Sequence, residues 1–75
     1  MKNFFQPGNL LKVKAVNYDH QASKMLIDMG FTPDTLISVK NSAPFGEPLI
    51  IKIRNYTLAL RKNDLLALDV ELVSH

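Results

Sequence analysis

The fold is decided by one stretch, residues 49–60, which reads Leu49-Ile50-Ile51-Lys52-Ile53-Arg54-Asn55-Tyr56-Thr57-Leu58-Ala59-Leu60. From Leu49 to Arg54 aliphatic residues alternate with polar ones, which is typical of a half-buried strand. A tight reversal is expected at Asn55-Tyr56, and the alternation resumes over Leu58–Leu60. The stretch therefore predicts a β-hairpin made of two consecutive short strands.

The same period of two recurs on both sides of this hairpin. It predicts one strand near the N-terminus, a second shortly before the hairpin and a last one close to the C-terminus. The aliphatic residues expected to point inward in these three strands are Leu11, Val13, Ala15, Ile37, Val39, Leu68, Val70 and Leu72. Five short strands in so small a chain favour a mainly β fold, a small barrel in which closure removes exposed sheet edges.

One segment changes to a helical period. Its apolar residues fall at i, i+3, i+4 and i+7, a single stripe made of Ala22, Met25, Leu26 and Met29. We expect an inserted α-helix over about residues 20–29, with Asp19 as its N-cap and Gly30 ending it. A short helical turn is expected over about residues 63–67.

The loop before the hairpin is stiff. It reads Ala43-Pro44-Phe45-Gly46-Glu47-Pro48. Each proline fixes its own φ and pushes the residue before it toward an extended conformation. The two prolines lower the entropy that a partner would have to remove on binding, so this loop is a candidate docking surface.

One pattern runs through the chain from Met25 to Val70. It comprises Leu26-Ile27-Asp28-Met29-Gly30, Pro33, Ile37-Ser38-Val39, the loop Ala43–Pro48, and Ala59-Leu60-Arg61 with the following Asp64. This pattern resembles the FeoA family, whose loop reads Ala-Pro-Leu-Gly-Asp-Pro. Three positions depart from the family pattern. Asp34 stands where glycine is usual, Phe45 where leucine is usual and Glu47 where aspartate is usual.

This resemblance implies a five-stranded SH3-like β-barrel that occupies residues 1–75 as a single domain. It also implies a small accessory protein of bacterial ferrous iron uptake that binds the cytosolic part of FeoB, a permease with a GTPase domain. A free-standing regulatory module related to the C-terminal barrel of iron-dependent repressors is the alternative. Oligomeric state is left open.

Composition narrows the classes of function. The 75 residues include no cysteine, which removes disulfides, thiolate catalysis and cysteine zinc sites. The net charge is +2, and the lysines are dispersed along the sequence. They do not form the basic patch that is typical of nucleic-acid-binding proteins. The apolar runs are too short for a membrane span and the N-terminus lacks a signal-peptide pattern, so we expect a cytoplasmic protein that reaches the membrane only through its partner.

No catalytic, metal or cofactor site is predicted. The two histidines, His20 and His75, lie far apart in sequence and neither has a partner at metal-ligand spacing. No nucleophile lies beside a base, so we expect a binding protein and not an enzyme. Arg61 could reach toward a GTPase as an arginine finger, but pairing with Asp64 is the simpler expectation.

The predicted partner-binding residues are Pro44, Phe45, Gly46, Glu47, Pro48, Met25 and Met29. Two orientations of Phe45 remain open from the sequence. In one it faces outward and anchors a partner; in the other it folds inward and plugs one end of the barrel.

Overall fold

The computed structural model describes residues 4–74, with His75 and residues 1–3 outside the described part. The chain forms five strands and two short helices. In order they are β1 (Leu10–Val16), α1 (Ser23–Asp28), β2 (Leu36–Ser42), β3 (Leu49–Ile53), β4 (Tyr56–Leu60), α2 (Lys62–Leu65) and β5 (Leu68–Ser74). The expectation of a mainly β chain with five strands, one inserted helix and a short helical turn is confirmed.

The strands form one antiparallel sheet in the order β4-β3-β2-β1-β5. The first strand lies between β2 and β5, so the beginning and the end of the chain are neighbours in the sheet. The hydrogen-bonded ladder of the described residues begins at β4 and ends at β5. All five strands and both helices contribute side chains to one hydrophobic cluster, which shows that the sheet curls around it.

Most of the strand side chains that were predicted to point inward are buried. Leu49, Ile51 and Ile53 of β3 are buried, as are Ile37 and Val39 of β2. Val70 and Leu72 of β5 pack against the core but stay partly exposed.

The prediction is wrong for Ala15, which is exposed. The register of β1 against β5 shifts between Val13 and Ala15, so that one residue of β1 is left over in the ladder. A bulge of this kind reverses which face the following residues occupy. Val16 therefore enters the core in place of Ala15.

The first helix is shorter than predicted. It covers Ser23–Asp28 instead of about 20–29, and the N-cap is Ala22 and not Asp19. The preceding chain forms turns in which the Nδ1 atom of His20 accepts a hydrogen bond from the Ala22 N–H at 3.0 Å. His20 thereby satisfies a backbone donor near the start of the helix, so the local hydrogen bonds are made without Asp19.

The helix ends as predicted at Gly30, where φ is +104°. The Gly30 N–H donates to the Ile27 carbonyl at 3.0 Å and the Phe31 N–H to the Leu26 carbonyl at 2.9 Å. These two bonds form a Schellman motif, which is usually accompanied by an apolar contact across the turn. Phe31 and Leu26 supply it, since both are fully buried.

Two turns use non-glycine residues at positive φ. Asp34 has φ of +73°, so it takes the backbone conformation for which the family's usual glycine is suited. The hairpin reversal lies at Arg54-Asn55, one residue earlier than predicted, because Ile53 pairs with Tyr56. Arg54, with φ of +53°, adopts the positive φ that two-residue hairpin loops require at their first position.

The second helix begins at Lys62 and ends at Leu65, whereas a turn over about residues 63–67 was predicted. It starts earlier because the Lys62 N–H has a partner outside the helix. That partner is the Oε1 atom of Glu47, at 2.7 Å. A carboxylate is a favourable acceptor for a free N–H in the first turn of a helix.

Candidate functional site

The loop between β2 and β3 is held in a defined shape by its own backbone. The Ala43 N–H donates to the Pro48 carbonyl at 3.1 Å, which closes the base of the loop. The Gly46 N–H donates to the Ala43 carbonyl at 2.8 Å, which makes the turn at its tip. Gly46 has φ of +87°, a conformation that glycine adopts without steric cost.

Phe45 stands at the tip of this loop with its side chain in solvent. It is 98% exposed, so it does not plug the barrel. The neighbouring prolines, Pro44 and Pro48, are exposed as well. Of the two orientations that the sequence left open, the structure has the outward one, in which a large apolar group is available to a partner.

Glu47 joins this loop to the second helix. It is half-buried, and its carboxylate accepts the Lys62 N–H. The Lys62 side chain lies beside the loop tip, since its Nζ atom is 3.2 Å from the position that a Cβ on Gly46 would take. The predicted partner-binding residue Glu47 is thus engaged within its own chain.

A second exposed apolar residue, Leu66, is the C-cap of α2. Leu66 follows Lys62 by four residues, which places it on the same side of α2, and it is 73% exposed. We call Pro44, Phe45, Lys62 and Leu66 the loop surface.

The sequence analysis did not single out Lys62 or Leu66. The signal for Leu66 lay in the run Leu65-Leu66-Ala67-Leu68. A helical turn cannot bury four consecutive side chains on one face, so at least one of them had to point outward. In the structure the other three are buried.

The predicted methionines lie on the first helix. Met25 is 41% exposed and Met29 packs partly against the core, while Ala22 and Leu26 of the same stripe are buried. The Tyr56 hydroxyl donates to the Met29 carbonyl, and the Arg54 guanidinium donates to the Gly30 carbonyl at 3.5 Å. The tip of the β3–β4 hairpin thereby packs against the end of α1. We call Met25, Met29 and Tyr56 the helix surface.

The two surfaces lie at opposite ends of the β3–β4 hairpin. Leu49 pairs with Leu60 at the end that carries the loop, and Ile53 pairs with Tyr56 at the end that contacts α1. Five residues of strand separate these ends by about 13 Å. The seven predicted partner residues therefore form two patches and not one.

Within residues 4–74 no three histidine, cysteine, aspartate or glutamate side chains group together as metal ligands would. Arg61 contacts Asp64 through the Arg61 backbone, whose N–H donates a hydrogen bond to the Asp64 Oδ2 atom at 3.4 Å. The expected ion pair between these two side chains does not form; the described residues hold the pairs Lys12–Glu71 and Lys24–Asp28.

Over residues 4–74, none of the helices is both long and apolar enough to cross a bilayer.

The chain matches a family model. The model is that of the FeoA domain, and the match covers residues 3–72. A curated relative is the Fe(2+) transport protein A/Fe(2+) transporter FeoB fusion protein of Porphyromonas gingivalis. It is 35% identical over 51 residues, which are 68% of this chain but only 6% of the fusion protein.

Solved structures resemble the fold closely. The FeoA-like protein of Clostridium acetobutylicum superposes with a TM-score of 0.87 at 27% identity, over 93% of this chain and 81% of that one. Stenotrophomonas maltophilia FeoA, an SH3 domain protein solved as a complex with zinc, superposes with a TM-score of 0.74 at 19% identity, over 95% and 91% of the two chains. At that identity the likeness concerns the fold alone, and it confirms the expected SH3-like architecture.

Proposed function

This chain belongs to the FeoA family of ferrous iron transport, and from that membership we propose that it binds the cytosolic part of a FeoB-type permease as an accessory protein. It would act in the cytoplasm, at the inner face of the membrane, where its partner places it. It would act by binding and not by catalysis.

One observation supports the partnership above all. In Porphyromonas gingivalis a relative of this chain is fused to the transporter FeoB in a single polypeptide. Fusion raises the effective concentration of one part around the other and is useful when the two parts associate. A separate chain of the same family would have to make the equivalent contact through its own surface.

The loop surface is the part of the molecule best suited to that contact. Phe45 offers a large apolar side chain, and aromatic side chains in central positions carry much of the binding energy of protein interfaces. The loop is held by its internal hydrogen bonds and by Glu47, so little conformational entropy is lost on docking.

The proposal is tested by measuring affinity for the purified cytosolic region of the permease, with and without guanine nucleotide, by isothermal titration calorimetry. Phe45→Ala should weaken binding by about 2 kcal/mol, which is roughly thirty-fold in Kd. Its free energy of unfolding should change by less than about 1 kcal/mol, because the side chain contributes nothing to the core.

Leu36→Ala is the matched control. Leu36 is also an exposed apolar residue, and it begins β2, at the opposite end of that strand from the loop. We expect parental affinity from this variant. Parental affinity from Phe45→Ala would remove the loop surface from the proposal, and no binding by the parent chain would contradict the partnership itself.

A further inference from the structure

Charge is divided unevenly along this chain. Residues 40–62 hold five cations, Lys40, Lys52, Arg54, Arg61 and Lys62, and a single carboxylate, Glu47. The remainder holds four lysines and six carboxylates. The segment from the end of β2 to the start of α2 therefore carries a net charge of +4, while the rest of the molecule carries −2.

Within residues 4–74, none of the five cations of this segment is held in an ion pair. In the part of the chain that the structure describes, both ion pairs, Lys12–Glu71 and Lys24–Asp28, lie outside residues 40–62. The single carboxylate of the segment accepts a backbone N–H. Asp64, the nearest acidic residue beyond it, also accepts a backbone N–H.

Part of this charge lies around Phe45. The Lys62 Nζ atom is beside Gly46, the residue that follows Phe45. Arg61 precedes Lys62, and Lys40 lies close to the point where β2 enters the loop. All three cations are exposed. An apolar side chain at the tip of a stiff loop is thus accompanied by three cations at the same end of the molecule.

We propose that the loop surface docks on an acidic protein surface, with Phe45 in an apolar pocket and carboxylates of the partner facing Lys40, Arg61 and Lys62. This inference rests on the proposed function and adds the chemistry of the partner's side. An apolar anchor within a charged rim is the usual anatomy of a specific interface. Opposite charges across the rim raise the rate of association more than the final affinity.

A protein is a better occupant than a nucleic acid. Non-specific binding of single strands uses several aromatic side chains on which successive bases stack. Here Phe45 is the exposed aromatic residue of the loop surface, whereas Phe4 and Phe5 pack partly buried against the core. Tyr56 lies at the other end of the hairpin with its hydroxyl on the Met29 carbonyl.

The test compares two double variants with the same change in net charge. Arg61→Gln/Lys62→Gln removes two cations beside the loop, and Lys14→Gln/Lys24→Gln removes two from the other part of the molecule. The association rate constant with the purified cytosolic region of the permease is measured by stopped flow between about 50 and 500 mM salt. Circular dichroism melting verifies that each variant is folded.

Arg61→Gln/Lys62→Gln should slow association about ten-fold at the lowest salt concentration and flatten the salt dependence. The Lys14→Gln/Lys24→Gln control should stay within about two-fold of the parent at the same salt concentration. Equal effects from the two double variants, or an association rate that is independent of salt, would overturn the inference while leaving the proposed function standing. Absence of binding by the parent would overturn both.

Two further probes address other polyanions. We measure how tightly the parent chain and the same variants bind two probes. One is vesicles containing about 30% phosphatidylserine, and the other is a labelled single-stranded oligonucleotide. We expect weak binding of both probes by the parent chain. If the parent chain binds either probe tightly and Arg61→Gln/Lys62→Gln does not, the cations beside the loop serve to bind that probe, and the inference is overturned.

Discussion

Gly30 occupies a backbone conformation that other residues enter only with strain, and a side chain at this position would have to displace the Arg54 side chain. With φ at +104°, a Cβ on this residue would lie 2.8 Å from the Arg54 Nε atom. Gly30→Val should therefore lower the free energy of unfolding by about 1–3 kcal/mol, as measured by urea denaturation. Part of this loss comes from displacing the Arg54 guanidinium from the Gly30 carbonyl.

Gly8 provides the control for that experiment. It has a similar φ of +95°, but no atom lies within 4 Å of the position its Cβ would take. Gly8→Val therefore measures the backbone strain alone, and we expect it to cost less than Gly30→Val. A Gly30→Val protein as stable as the parent would contradict the assignment of the Schellman motif.

Some single residues were predictable from the sequence and others were not. Gly30 follows an apolar helical stripe and precedes Phe31 and a proline, a combination that signals a helix end. The orientation of Phe45 could not be predicted, because a loop between two prolines has no periodicity to separate an inward from an outward side chain. The bond from Glu47 to Lys62 joins residues fifteen positions apart and depends on how the whole sheet curls.

The first helix has one buried side and one exposed side. Leu26 is fully buried, and its neighbour Met25 is 41% exposed. Leu26→Ala should cost about 2–5 kcal/mol of unfolding free energy, because it leaves a cavity in the core. Met25→Ala should cost less than about 1 kcal/mol. Chemical denaturation of the two variants tests this; similar losses would mean that the helix is rotated relative to the structure described.

The loop and the second helix form a second unit, joined by the carboxylate of Glu47. Glu47→Ala should lower stability by about 0.5–2 kcal/mol, because the Lys62 N–H loses its acceptor at the start of α2. It should also weaken binding to the permease, since the loop is then less well ordered before docking.

Glu47→Gln is the matched variant, because it keeps an acceptor oxygen without the charge. We expect it to recover at least half of both losses, measured by thermal melting and by calorimetry. If Glu47→Ala leaves both quantities unchanged, the bond to Lys62 does not hold the loop.

Elements were predicted better in type than in extent. Alternation and helical stripes depend on local burial, so all five strands and the helix were predictable. The bulge in β1 was not, because an extra residue in one strand is visible only from its register with β5. The first helix lost its expected first turn because His20 makes the local hydrogen bond in a non-helical turn.

For the whole molecule, stability should come from the apolar core and not from a bound metal. Among residues 4–74, fifteen buried hydrophobic residues form one cluster. We expect the melting temperature of the purified protein to change by less than about 2 °C after treatment with EDTA, which corresponds to well under 1 kcal/mol for a domain of this size. A fall of more than about 5 °C would show that a metal contributes to folding.

The position of β1 between β2 and β5 has a consequence for how the protein is made. Six residues of the first strand, from Leu10 to Val16, find their sheet partners between Leu68 and Ser74, at the far end of the chain. While the polypeptide is still growing on the ribosome, this edge of β1 stays open until the final strand has left the exit tunnel. The sheet is therefore completed only after synthesis of these residues has ended, and until then the nascent chain exposes an unpaired strand edge that chaperones or other chains are able to bind.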